Sequence, residues 1–85
     1  MLWKNIKESV PELLGNLSMI SESLLFKSES GKIYAGYYHA NGCFYNYDKD
    51  SREDQYVFPS PYWNGQGDLT GCEGVDLWLP LGDVE

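Results

Sequence analysis

Histidine, cysteine and basic residues are scarce in this chain, and each scarcity argues against a class of function. The 85 residues include one histidine, two cysteines, and six lysines and arginines against thirteen aspartates and glutamates, for a net charge of -7. The negative electrostatic field of such a chain repels nucleic acid and anionic membranes, so we expect no direct binding to either. The same field favours a basic protein partner. His39, Cys43 and Cys72 are too few for a zinc site or a disulfide framework, and no cofactor is expected.

Long apolar runs are also missing. No stretch approaches the roughly 18 apolar residues that a membrane-spanning helix needs, and residues 1–7 lack the features of a signal peptide. We therefore expect a cytoplasmic protein. The length suits one domain, residues 1–85, whose core can draw on three Trp, seven Tyr and three Phe.

The N-terminal third predicts a short helix. Ser9 is a candidate N-cap, Pro11 would lie in the first turn, and Glu12 would complete a capping box. Helical spacing of apolar residues continues to about Ile20, although Gly15 weakens the propensity. The residues expected on the buried helical face are Leu13, Leu14, Leu17 and Ile20.

Beyond residue 23 the pattern favours strands, at residues 24–26, 32–39, 56–58 and 75–81. Asn41-Gly42 is the preferred pair for a two-residue type I′ turn, which predicts a hairpin over residues 32–47. The expected fold is therefore α+β, with one N-terminal helix on an antiparallel meander sheet of three to five strands. Trp3 and Trp78 are expected in or near the core.

A two-residue turn would fix the register of the hairpin. It would place Tyr38 opposite Tyr45 and Gly36 opposite Tyr47. One face, expected beneath the helix, would present Ile33, Ala35, Tyr37, His39 and Phe44. The other would present Tyr34, Tyr38, Cys43, Tyr45 and Tyr47, and would belong to folding if the Trp78 strand covered it or to binding if it stayed open.

Three segments resemble catalytic or ligand-binding motifs only superficially. His39 lacks a nucleophile and an orienting carboxylate at a fixed spacing. Residues 48–54 begin with acidic residues at alternate positions, as a calcium-binding loop does. However, Arg52 occupies a ligand position and Glu53 stands where glycine is required. Residues 65–71 are glycine-rich without the lysine of a phosphate-binding loop. We therefore expect no enzyme.

Several short motifs in order resemble a known family. They are Trp3 with Ile6, Val10-Pro11-Glu12, the strand at 24–26, Gly31 to Tyr38, and Leu77-Trp78-Leu79-Pro80-Leu81. The chain resembles domain-of-unknown-function family 551, small proteins of phages and prophages. It departs from the family in extra residues after Pro11, in Leu77 where His is frequent, and in Gly82 where Pro is common. The resemblance implies a phage origin and no particular mechanism.

These observations lead to a functional hypothesis. We expect a phage-encoded protein that binds and inhibits a host protein, such as a defence nuclease or a CRISPR complex, by occupying its basic nucleic-acid site. The alternative is a small-molecule module that encloses a nucleotide signal with the glycine-rich loop and tyrosines. Trp63 is equally compatible with a core position. The residues expected to contact the partner are Asp48, Asp50, Glu53, Asp54, Tyr62, Trp63 and Asp68.

Overall fold

The computed structural model describes residues 2–15, 17–47, 55–65, 67, 69 and 71–83. Within these residues one antiparallel sheet has the strand order β1-β6-β2-β3-β4-β5. Strands β2 to β5 form a meander, and β6 returns to pair with the free side of β2. A 3₁₀ helix, Leu81–Asp83, follows β6. The strands are β1 (Lys4–Asn5), β2 (Leu24–Ser28), β3 (Ile33–Tyr38), β4 (Cys43–Asn46), β5 (Val57–Pro59) and β6 (Val75–Pro80).

The prediction of an α+β fold is wrong, because the described part of the chain contains no α-helix and the fold is nearly all-β. The segment predicted as a helix is a closed loop instead. Leu13 forms an isolated bridge with Ser21, and the Leu14 N–H donates to the Ile20 carbonyl at 3.0 Å. Gly15 turns the chain with a φ of 109°, outside the helical region. The sheet also has more strands than the three to five expected.

The core lies on one face of the sheet, and the alternation of side chains explains which residues reach it. In β2, Leu24, Phe26 and Ser28 are buried, whereas Leu25 and Lys27 between them are partly exposed. Their partners on neighbouring strands extend the same face. The buried apolar cluster is Ile6, Leu24, Phe26, Tyr38, Phe44, Phe58, Val75 and Trp78, with Leu13 and Tyr34 packed against it.

The segment that follows β1 covers this core face in place of the predicted helix. Ile6 and Pro11 are buried, and Leu13 packs on the apolar cluster. The Trp78 Nε1–H donates to the Ser9 carbonyl at 2.7 Å. Trp78 is therefore in the core, as expected, whereas Trp3 is half-buried beside the Lys27 ammonium. No helix among the described residues is long and apolar enough to cross a membrane.

The β3–β4 hairpin exists, but its predicted register is wrong by one residue. Tyr37 lies opposite Tyr45, and the His39 N–H donates to the Cys43 carbonyl, so the loop has three residues, 40–42. Among the described residues only glycines have positive φ, and in this loop that is Gly42 at 92°. A three-residue loop that ends in a left-handed glycine is the next most common hairpin connection. A one-residue change of register exchanges the faces of one strand relative to the other.

Candidate functional site

The corrected register places tyrosines from three elements on the face of the sheet opposite the core. Tyr37 and Tyr45 are directly paired, and Tyr47 follows Tyr45 by two residues, so all three side chains emerge on the same side. Tyr56, which precedes β5, completes the group by edge contact with Tyr45. We call Tyr37, Tyr45, Tyr47 and Tyr56 the tyrosine cluster, and the side of the sheet on which it lies the outer face.

The rings of the tyrosine cluster pack on one another. Tyr37 and Tyr45 are stacked, with centroids 5.4 Å apart and planes at 16°. The ring of Tyr47 lies 5.9 Å from that of Tyr37, and the ring of Tyr56 lies 5.5 Å from that of Tyr45. His39 extends the row with an edge contact to Tyr45 at 5.6 Å. These separations fall in the favourable range for aromatic pairs, so the rings support one another.

Hydrogen bonds hold the hydroxyl ends of these side chains. The Asn41 Nδ2–H donates to the Tyr45 hydroxyl at 2.8 Å, and the Tyr47 hydroxyl is bonded to that of Ser23. Burial, followed by a hydrogen bond with Tyr56 and the charges of neighbouring tyrosines, raises the pKa of the Tyr37 phenol from 10.0 to about 12. Tyr37 is therefore protonated at neutral pH and its hydroxyl is a hydrogen-bond donor.

The tyrosine cluster is nevertheless accessible. Tyr47 is 55% exposed, and Tyr37, Tyr45 and Tyr56 are each partly exposed. Exposed Ile33 and Ala35 adjoin the cluster on the outer face. The arrangement offers flat aromatic surface, several hydroxyls and little side-chain entropy to lose on binding, which are the properties of interface tyrosines.

Most of the residues predicted to bind a partner lie outside the described residues. They are Asp48, Asp50, Glu53, Asp54 and Asp68. The described residues that flank segment 48–54 are nevertheless held next to the tyrosine cluster. The Asn46 N–H donates to the Tyr56 carbonyl at 2.9 Å, which joins the chain before the segment to the chain after it. Four carboxylates therefore lie within a few residues of Tyr47 or Tyr56 along the chain.

Tyr62 and Trp63, the remaining predicted contacts, are not brought together with the cluster. They follow β5 and pack against the β3–β4 turn, where a Cβ on Gly42 would overlap the Tyr62 carbonyl. Tyr62 is exposed and Trp63 is half-buried.

Sequence reasoning missed that Tyr37 and His39 belong with Tyr45 and Tyr47, because it assigned them to the core. Tyr34 and Tyr38, which it placed on one face with Tyr45 and Tyr47, lie on the opposite face, where Tyr38 belongs to the core and Tyr34 packs against it. A three-residue loop ending at Gly42 was the alternative that would have given the observed faces. The absence of charged residues from Ile33 to Tyr47 was the other available signal.

Three further features of the described part of the chain bear on the choice of site. Burial, with a smaller effect of the Cys72 charge, raises the pKa of the Cys43 thiol to about 11, so this thiol is protonated at neutral pH. Among the residues with described positions, no group of three or more His, Cys, Asp and Glu could hold a metal ion. A groove of about 350 Å³ lies over Trp78 between β6, β2 and segment 9–14.

No protein-family model, curated protein or solved structure matches this chain. The resemblance to domain-of-unknown-function family 551 therefore rests on the sequence motifs and stays a prediction.

Proposed function

We propose that this chain is a small acidic interaction protein that binds a basic surface of another protein through the tyrosine cluster and the adjoining acidic segment 48–54. The observation that supports the proposal best is the stacked, hydrogen-bonded and accessible row of tyrosines on the outer face, from which the acidic segment begins and to which it returns.

The chemistry of this surface complements lysine and arginine. Tyrosine rings attract ammonium and guanidinium groups through cation–π contacts, with roughly 0.5–2 kcal/mol for each contact. Carboxylates accept bidentate hydrogen bonds from arginine, and the net charge of -7 accelerates encounter with a basic partner. Stacked rings beside a run of carboxylates reproduce the two chemical features of single-stranded nucleic acid, which are flat bases and backbone anions.

The proposed partner is accordingly a host protein with a basic nucleic-acid site, such as a defence nuclease or a CRISPR complex, and the proposed effect is its inhibition in the host cytoplasm. The resemblance to small phage and prophage proteins supports this setting. Binding rather than catalysis is the proposed activity, and no cofactor is required for it.

The test is affinity capture of partners from bacterial lysate, followed by binding measurements with each captured protein. Reversing Asp48 and Asp50 to lysine should weaken binding at least tenfold, because each lost carboxylate contact contributes about 1 kcal/mol or more. The matched control reverses the exposed Glu8 and Glu22, which changes the net charge equally at other places and should have a smaller effect.

The aromatic half of the surface is tested separately. Tyr47→Ala should weaken binding about tenfold, whereas Tyr62→Ala, an exposed tyrosine near the β3–β4 turn, should leave it nearly unchanged. Equal losses of binding affinity in the two tyrosine variants would contradict the proposal, as would a capture experiment that retains no basic or nucleic-acid-binding protein.

The small-molecule alternative receives less support from the described residues. A Cβ added at Gly65, Gly67 or Gly71 would meet no atom within 4 Å, so no described part of the chain packs closely against these glycines. Thermal-shift screening distinguishes the two functions. A large stabilisation by one nucleotide, lost in Trp63→Ala, would favour the ligand-binding function over the proposed one.

A further inference from the structure

The chain contains two Asn-Gly pairs, Asn41-Gly42 and Asn64-Gly65. An asparagine before a glycine can lose its side-chain amide spontaneously, because glycine has no side chain to hinder attack by its backbone nitrogen on the carboxamide. Asparagine is accordingly among the thermally labile residues. The two pairs lie next to each other in the fold, since the Asn64 N–H donates to the Asn41 carbonyl at 3.2 Å. Their surroundings nevertheless differ.

The deamidation reaction places two demands on the structure around an Asn-Gly pair. The amide nitrogen of the glycine loses its proton to hydroxide and attacks the Cγ atom of the asparagine. A new C–N bond closes a cyclic succinimide, and the bond to the side-chain nitrogen breaks, so that ammonia leaves. Water then opens the ring at either carbonyl and leaves an aspartate or an isoaspartate. The carboxamide must therefore be able to turn, and the glycine N–H must be accessible to solvent.

The pair Asn41-Gly42 meets neither demand. The Asn41 Oδ1 accepts a hydrogen bond from the Cys43 N–H at 2.9 Å, and its Nδ2–H donates to the Tyr45 hydroxyl at 2.8 Å. Gly42 is buried, and its N–H donates to the His39 carbonyl at 3.0 Å. Closing a succinimide ring here would break all three hydrogen bonds, so the folded β3–β4 turn protects this asparagine.

The pair Asn64-Gly65 has the opposite surroundings. Both residues are exposed, so water and hydroxide reach them. A Cβ added at Gly65 would meet no heavy atom within 4 Å, whereas a Cβ at Gly42 would overlap the Tyr62 carbonyl. There is consequently space beside Gly65 for the cyclic intermediate. Exposed loop positions of this kind also deform more easily than residues in a packed turn.

We propose that Asn64 is a site of spontaneous deamidation in the folded protein and that Asn41 is protected. The reaction would place a carboxylate in segment 60–65, which has no charged residue, and would make the net charge one unit more negative than -7. The segment stays attached to the turn, because the Ser60 N–H donates to the Gly42 carbonyl before the altered linkage. The modified chain therefore remains folded. This inference does not depend on the proposed function.

The test is incubation of the purified chain at neutral and at alkaline pH, followed by ion-exchange chromatography and peptide mapping by mass spectrometry. A more acidic species should accumulate, and faster at alkaline pH, because hydroxide removes the amide proton. Conversion at Asn64 should be at least about tenfold faster than at Asn41, whose hydrogen bonds must first be broken. Incubation in heavy-oxygen water should label the new carboxyl group at position 64, since water opens the ring there.

Asn64→Gln is the matched variant, because its longer side chain must close a larger ring and should react much more slowly. Far-UV circular dichroism establishes that the variant is folded. In urea that unfolds the chain, the two pairs should react at similar rates, because unfolding removes the hydrogen bonds around Asn41. The proposal would be overturned if Asn64 were unchanged in the folded chain, or if Asn41 reacted there as fast as Asn64. A rate difference that persists in urea would overturn protection by the fold.

Discussion

The rings of Phe26 and Phe58 lie 5.1 Å apart, although two strands separate β2 from β5. In a flat sheet the backbones of these two strands would be about 14 Å apart, since neighbouring strands are spaced by about 4.8 Å. The sheet therefore curls towards its core face. Gly36, in the intervening strand β3, leaves room for the Phe26 ring, which would lie 3.1 Å from a Cβ at that position. The curl joins four strands into one aromatic core.

Removing either ring should weaken the whole fold. Phe58→Ala and Phe26→Ala should each lower the free energy of unfolding by about 3–5 kcal/mol, as expected for a fully buried phenylalanine. If either variant is unfolded, Phe58→Leu provides a milder change, expected at about 1–2 kcal/mol. Urea denaturation gives these values. The losses of stability in Phe26→Leu and Phe58→Leu can also be compared with the loss in the double variant. If the two single losses simply add, a direct contact between the rings is contradicted.

Gly36 should tolerate no side chain. A Cβ there would overlap the Tyr45 carbonyl oxygen, a backbone atom that cannot move without separating β3 from β4. Gly36→Ala should therefore cost more than the roughly 1–3 kcal/mol of ordinary overpacking. Gly82→Ala is the matched control, because a Cβ at Gly82 meets nothing within 4 Å. Thermal melts of the two variants should differ clearly, and equal melting temperatures would refute the close approach.

Alkaline pH should destabilise the protein through Cys43. Burial raises the pKa of this thiol from 9.0 to about 11, so between these values the unfolded chain has lost the proton that the folded chain retains. Stability is therefore intact below pH 9 and falls as the pH rises towards 11. Urea denaturation at pH 7, 9 and 10.5 measures the decline. Cys43→Ala should make it shallower, whereas Cys72→Ala should keep most of it, since burial is the main cause.

The hydrogen bond from Trp78 to Ser9 should hold the N-terminal segment on the core. Trp78→Phe keeps an aromatic ring but removes the donor, and it should cost about 1–3 kcal/mol. Hydrogen exchange should become faster in residues 6–13. Trp3→Phe, at a half-buried tryptophan near Lys27, should leave that exchange unchanged. An unchanged hydrogen-exchange rate in Trp78→Phe would show that other contacts are enough to hold the N-terminal segment on the core.

Salt should weaken the proposed binding. Binding of a basic partner to the tyrosine cluster and segment 48–54 should weaken as salt rises, because attraction between opposite charges is screened. Titrations from about 50 to 500 mM salt, a range over which the Debye length falls more than twofold, test this dependence. Binding that is unchanged or stronger at high salt would contradict a contact between opposite charges.

The positions of most strands could be predicted from the sequence, whereas the conformation of the loop after Pro11 could not. Alternating side chains and flanking turns located β2 to β6, although β1, with only two residues, gave no signal. The spacing of Leu13, Leu14, Leu17 and Ile20 favours a helix locally. The structure satisfies the backbone of that segment through pairing with Ser21 and His39 instead, a tertiary contact that local propensity cannot predict.

Which side chains form the candidate site depends on whether the β3–β4 loop has two or three residues. Asn41-Gly42 favours a two-residue turn by local preference. In the structure the Asn41 Oδ1 accepts from the Cys43 N–H and its Nδ2–H donates to Tyr45, so the asparagine braces a longer loop rather than adopting positive φ itself. The sequence left the tyrosine face open between folding and binding, and the shifted register placed Tyr37 and Tyr38 on each other's faces.

The two outermost strands of the sheet, β1 and β5, have two and three residues, and β5 ends in Pro59, which has no N–H to donate. Short edges that include a proline are poor templates for the backbone pairing by which sheets grow into fibrils. A chain with this many exposed aromatic and aliphatic side chains can therefore remain dispersed at high concentration. Contacts with other molecules are therefore directed to side chains, such as those on the outer face, rather than to strand edges.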